Sequence, residues 1–146
     1  MEASITLKSI AKKFDGKTIL ADLSFGVEKG TNFVIVGKNG AGKSTLLKLL
    51  TGLVESDAGT AYIHGLNIHS RGEETRAITG FLSQTCNLDE EMTILDNISV
   101  NAQLQGMEKS KINSAIAALA DKLFIKTQLK KYPHQLCFGD LRKACF

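Results

Sequence analysis

The stretch GKNGAGKST at 37–45 constrains this chain more than any other part of it. Gly37, Gly40, Gly42, Lys43 and Ser44 fit the pattern G-x-x-x-x-G-K-[ST]. The run FVIV at 33–36 precedes it and LLKLL at 46–50 follows it. Consecutive apolar residues including two valines predict a strand covered on both faces, as in a parallel sheet. Leu46, Leu47, Leu49 and Leu50 predict a buried helix, ended by Thr51 and Gly52. Strand, glycine-rich loop and helix in that order point to an α/β fold.

The spacing has a physical reason. Phosphate oxygens need a ring of backbone N–H donors, and Cβ atoms would keep the backbone from closing round them. Glycines at 37, 40 and 42 remove that obstacle and permit positive φ. A helix starting near Lys43 aims the positive end of its dipole at the same place. Lys43 supplies a mobile cation for β- and γ-phosphates, and the Ser44 hydroxyl suits Mg²⁺. The plain alternative is a glycine-rich turn that merely joins strand to helix. The residues at both flanks and the Lys-Ser pair favour a nucleoside-triphosphate site.

The rest of the chain is organised around this unit. Ile5 and Leu7 alternate with polar neighbours, and DGK at 15–17 predicts a turn before Thr18–Leu20. Leu23, Phe25 and Val27 alternate again, up to a turn at Glu28–Gly30. ESDAGT leads into a short predicted strand at Ala61–His64, and a polar helical segment at Arg71–Arg76 leads to another at Ile78–Leu82. From Asp89 onward Ile94, Leu95, Ile98 and Leu104 fall near 3.6 spacing, as do Ile112, Ile116, Leu119, Leu123 and Phe124. Pro133 ends that pattern and opens the last segment.

Composition removes several classes. With 43% hydrophobic and 23% charged residues the chain is an ordinary globular one. A net charge of +3 without a basic stripe argues against nucleic acid. No apolar run approaches the ~20 residues of a membrane helix, and MEASITLKSI lacks the apolar core of a signal peptide. Three cysteines without a CxxC pair, Cys86, Cys137 and Cys145, predict reduced thiols of a cytoplasmic protein. His64, His69 and His134 have no metal-ligand spacing.

AKKFDGKTILADLSFGVEKG at 11–30 and GKNGAGKSTLLKLLTGL at 37–53 together resemble the ATPase domain of ABC transporters. The resemblance implies ATP and Mg²⁺ held by Gly37, Lys38, Asn39, Gly40, Ala41, Gly42, Lys43, Ser44 and Thr45. Phe14 stands where that family stacks an aromatic ring on adenine; core packing is the other reading. FLSQ at 81–84 is similar to the family's Q-loop, so Gln84 would approach the metal and the γ-phosphate, and Lys43 and Gln84 would be catalytic. The metal would then sit between Ser44 and Gln84. TCNLDEEMTILDNI at 85–98 would face a transmembrane partner, and with AQLQGM at 102–107 it resembles exporters of the multidrug or lipid type. The implied fold has N-terminal antiparallel strands, a P-loop core over 1–84 and a helical subdomain over 85–146, together a single partial domain.

YPHQLCFGDLRKACF at 132–146 aligns with the family's signature segment, usually LSGGQ, here Leu136, Cys137, Phe138, Gly139 and Asp140. In the family this segment closes on the γ-phosphate of a second ATP-binding subunit. Cysteine is a poor donor compared with serine, Phe138 is bulky where backbone should meet phosphate, and Asp140 brings negative charge to a triphosphate. A signature so altered would impair the dimer. No apolar run ending in Asp-Glu follows the P-loop, since Asp89-Glu90 comes after Cys-Asn-Leu. Walker B, the D-loop and the switch histidine therefore have no counterpart, and Phe146 reads as the middle of a domain. The strand at 33–36 would then lack its neighbours, leaving Val34 and Val36 exposed and prone to aggregate.

These readings predict an ATP-binding component of an ABC transporter, peripheral to the inner membrane on its cytoplasmic side through a partner. Hydrolysis by this chain alone would be slow or absent. One rival is a non-catalytic remnant that binds only nucleotide or a partner, and another is a soluble non-transport ABC protein. A GTPase is disfavoured by the lack of NKxD, and an adenylate-kinase-like enzyme by having only Arg71, Arg76 and Arg142 as arginines.

Overall fold

A computed structural model describes residues 3–145. Met1, Glu2 and Phe146 lie outside them, and with Phe146 the reading attached to it. The chain divides into two compact units, Met1–Gly80 and Phe81–Phe146.

The first unit is built on a hairpin. Strands β1 (Ala3–Phe14) and β2 (Lys17–Glu28) pair antiparallel. Asp15 and Gly16, at φ 47° and 77°, form the turn between them. Two left-handed residues in a two-residue loop match the twist of the flanking strands, which explains the Asp-Gly sequence. The other edge of β1 pairs antiparallel with β3 (Ala58–Ile63), which pairs with β4 (Leu66–Asn67), giving the order β2-β1-β3-β4. Helix α1 (Lys43–Leu50) buries Leu46, Leu49 and Leu50 with Leu7, Ile10, Leu20, Ala61, Ile63 and Ile68. These three leucines share one helical face, so Leu47 lies off it and is exposed, contrary to the sequence reading. The helix ends where expected. Gly52, at φ 74°, donates to the Leu49 carbonyl at 3.0 Å and closes its last turn. A short helix α2 (Gly72–Ala77) completes the unit.

Two predicted strands are absent. Phe33–Val36 carries no ladder, and Val34 and Val36 are 76% and 85% exposed. An apolar run becomes a covered strand only if chains pair with both its edges, and no strand among the described residues does so. The exposure of these two valines follows the second expectation, that their neighbours are lacking. Ile78–Leu82 is likewise irregular, with Ile78 at the C-terminal cap of α2.

The second unit is helical, as its 3.6 spacing predicts. It holds α3 (Ile94–Leu104), α4 (Lys109–Leu123) and α5 (Phe138–Ala144), with single 3₁₀ turns at Lys126–Gln128 and Pro133–Gln135. Ile94, Ala120, Ile125 and Ala144 form its centre, with Ile98, Leu123, Leu129 and Leu136 packed around them. Thr93 caps α3 by accepting from the Asp96 amide at 3.2 Å. Leu104 and Phe124 depart from the expected apolar stripe, at 81% and 84% exposed. Phe124 takes a left-handed φ of 56° to end α4, which turns its side chain off the helical face.

Asn97 is a buried polar residue that periodicity could not flag. Its Oδ1 accepts from the Asp89 amide at 2.7 Å. Its Nδ2 donates to the carbonyls of Asp89, Met92 and Thr93 at 3.0, 3.3 and 3.1 Å. One side chain thus fixes the 89–93 loop onto α3. Asn97→Leu strands these backbone groups, and the expected loss of stability is about 2–4 kcal/mol. A denaturation midpoint unchanged from wild type would contradict this account.

Candidate functional site

The loop at 37–42 lies in the first unit and leads directly into α1. Gly40 and Gly42 take φ of 82° and 86°, so the left-handed backbone that glycine permits is used at both. Gly42 is also packed. A Cβ there would stand 2.9 Å from Leu20 Cδ2 and 3.0 Å from the Ile19 carbonyl oxygen. At Gly40 an added Cβ would meet nothing within 4 Å. Gly42→Ala is therefore expected to cost about 2 kcal/mol and Gly40→Ala about 1 kcal/mol, the difference measuring the contact. Equal midpoints in urea would refute it.

The Lys43 side chain folds back over the loop. Its Nζ donates to the carbonyls of Gly37 and Lys38, both at 2.8 Å. An ammonium has three N–H donors, so one is left for a ligand. Helix α1 has no acidic residue in its first turn and no side-chain N-cap. Its first intrahelical bond runs from the Leu46 amide to Gly42 at 2.8 Å. The amides of Lys43, Ser44 and Thr45 therefore point out of the helix end without helical acceptors. Gly37, Lys38, Asn39, Gly40, Ala41 and Ser44 are exposed. The arrangement can receive an anion with backbone amides, a dipole and one cation.

An apolar groove of about 350 Å³ adjoins the loop, between β2 and residues 33–36, and reaches Ala41–Lys43. Phe25 and Phe33 stack at its side, 5.2 Å between ring centroids. Phe14 ends β1 and is 45% exposed, so the core-packing reading does not hold. The Lys12 ammonium sits 5.2 Å from its ring centroid and pairs with Asp57 at 2.8 Å. That hydrogen bond, with the Lys13 amide, holds the Asp57 carboxyl below its usual range.

Gln84 belongs to the second unit, apart in chain division from the loop residues. Its residue is exposed, and its carbonyl accepts from Arg142 Nη1 at 3.1 Å. The same nitrogen donates to the Ser83 carbonyl. In the altered signature, Cys137 occupies the N-cap of α5 without a side-chain bond, and Phe138 is exposed. Asp140 accepts from Lys143 Nζ, three residues on in α5, at 3.5 Å, and from Gln128 Nε2 at 3.1 Å, a partner that the linear pattern did not reveal. Among the described residues no group of His, Cys, Asp or Glu could hold a metal ion by itself. No helix of the described residues is long and apolar enough to cross a membrane.

The sequence profile of the ABC transporter family matches residues 20–146. The chain belongs to that family. Among curated ABC relatives, the molybdate/tungstate import ATP-binding protein WtpC of Thermococcus kodakarensis is 32% identical over 125 residues. That match covers 86% of this chain and 38% of the relative. The Nod factor export ATP-binding protein I of Paraburkholderia xenovorans is 35% identical over 142 residues, covering 97% of this chain and 47% of the relative. This chain thus spans less than half the length of these ABC proteins. A solved ATP-binding subunit of an ABC transporter matches with TM-score 0.80 and 25% identity, over 97% of this chain and 59% of that one. The cbiO1 protein of Clostridium perfringens, part of the ABC transporter complex cbiONQ, has the same fold, with TM-score 0.85 and 20% identity over 99% of this chain and 60% of that one. The fold is therefore that of an ABC ATPase domain in part, and its family binds ATP.

Proposed function

We propose that this chain binds the triphosphate of ATP on residues 37–45 as part of an ABC transporter's ATP-binding component. The observation that carries the reading is Lys43, held 2.8 Å from two loop carbonyls at the start of an uncapped helix. In this reading the amides of 40–45 take the phosphates, Lys43 the β- and γ-oxygens, Thr45 the α-phosphate, and Phe14 the adenine. Ser44 and Gln84 are each candidate Mg²⁺ ligands, and the metal's chemistry would be to neutralise developing charge on the phosphates. Residues 1–84 would serve the nucleotide and 85–146 a membrane-embedded partner on the cytoplasmic side. Export is the proposed direction, on the resemblance of 87–98 and 102–107, although relatives of both directions occur.

A reading as a non-catalytic nucleotide binder is favoured by one specific set of residues. Cys137, Phe138 and Asp140 stand where the usual signature has serine, glycine and glutamine, in the segment that would close on a phosphate across a dimer. The expected behaviour of residues 1–146 is thus ATP binding with little turnover. A thermal melt with and without Mg-ATP, run beside a phosphate-release assay, tests both halves. A melt that ATP leaves unmoved would overturn the binding site, and multiple turnovers per chain would overturn the non-catalytic reading.

A further inference from the structure

We propose that Cys86 and Cys145 form an oxidisable dithiol, whose disulfide fastens the segment bearing Gln84 to α5. The two residues converge on one acceptor. Cys86 Sγ donates to the Leu141 carbonyl at 3.6 Å, and the Cys145 amide donates to that same carbonyl at 3.1 Å. Burial, then a hydrogen bond to Cys86, then the charge of Cys86 push the Cys145 thiol up to about 12. Both residues are half-buried, whereas Cys137 is exposed at the opposite end of α5. Arg142 of the same helix already binds the carbonyls of Ser83 and Gln84. The bond would therefore reinforce an existing attachment, all of it within the second unit.

The chemistry is thiol–disulfide exchange with a small-molecule disulfide as oxidant. One of the two thiols, as its thiolate, attacks the oxidant. It forms a mixed disulfide and releases one thiolate of the oxidant. The other thiol loses its proton to solvent, attacks the protein sulfur of that mixed disulfide and expels the second thiolate. Two protein thiols are oxidised and one disulfide is reduced.

Chain statistics make the test sharp. In a coil, loop closure falls with the 3/2 power of length, so Cys137 would pair with Cys145 about 20-fold more readily than Cys86 would. In the folded chain Cys137 and Cys145 flank α5, about 12 Å apart by helical rise, beyond the ~7 Å reach of a disulfide. The measurement is alkylation and peptide mass mapping of the 146-residue chain in graded oxidised and reduced glutathione, natively and in 6 M guanidinium. Expected natively is the loss of two of three thiols with a Cys86–Cys145 cross-link and Cys137 still alkylated. In guanidinium the preference should invert toward Cys137–Cys145. Cys86→Ser should leave Cys145 without an intrachain partner in the native chain. A native chain that keeps all three thiols at high oxidised glutathione, or that joins Cys137 to Cys145, would overturn the proposal.

Discussion

Lys43→Ala is expected to abolish the rise in melting temperature that Mg-ATP gives the wild-type chain. A ligand that binds only the native state stabilises it by about 2.7 kcal/mol at a hundredfold excess over Kd. For a domain of this size that is a rise of roughly 5–11 °C. The lysine contributes twice. It offers its remaining N–H to the phosphate, and it draws the Gly37 and Lys38 carbonyls toward α1 through its other two. Without it those carbonyl oxygens, both acceptors of negative character, are free to turn toward an anionic ligand. The variant's melt without ATP should fall only slightly, because the lysine bonds are exposed and worth about 1 kcal/mol each or less. Comparing each variant with and without nucleotide therefore separates binding from folding. An undiminished ATP-dependent rise in Lys43→Ala would remove this loop from the site.

The largest loss of stability is expected from Gly59→Ala, about 3 kcal/mol or more. Gly59 lies in β3 at φ 84°, opposite the irregular stretch of β1 between Lys8 and Ala11. A Cβ there would fall 2.3 Å from the Ser9 carbonyl oxygen and 2.5 Å from that of Lys8. Both obstacles are backbone, so no side-chain rotation can relieve them, and β1 and β3 would have to part. Ser9, itself at φ 51°, leaves little room for that adjustment. Gly65→Ala is the control, with φ 76° but nothing within 4 Å of the added carbon. It should lose only about 1 kcal/mol, the backbone strain alone. Denaturant midpoints that shift equally in the two variants would show that the close approach is not limiting.

The parts of the fold legible in the sequence are those decided by short-range chemistry. Asp15-Gly16 announces its hairpin because few other dipeptides tolerate two left-handed residues. Gly42 and Lys43 announce the helix start because the motif joins backbone freedom to charge at fixed spacing. The failures are those where the outcome depends on distant chain. Phe33–Val36 has the composition of a covered strand, but pairing is a property of its neighbours rather than of its own residues. Leu47 and Phe124 misled for a more local reason, since a run of leucines or a final aromatic does not say which way the helical screw turns it. Asn97 could not be read at all, because its partners are fixed only when a loop folds back on a helix.

The exposure of Phe33, Val34 and Val36 also bears on the kinetic order of what happens to residues 1–146 on their own. Folding within one chain is first order and indifferent to dilution. An extended apolar segment whose backbone groups have no ladder offers a template to any other strand, and capture by a second chain is second order. Lowering the concentration tenfold slows that encounter per molecule tenfold while leaving folding untouched. How much usable protein survives in a tube is therefore set by how crowded the tube is, as much as by how stable each molecule is.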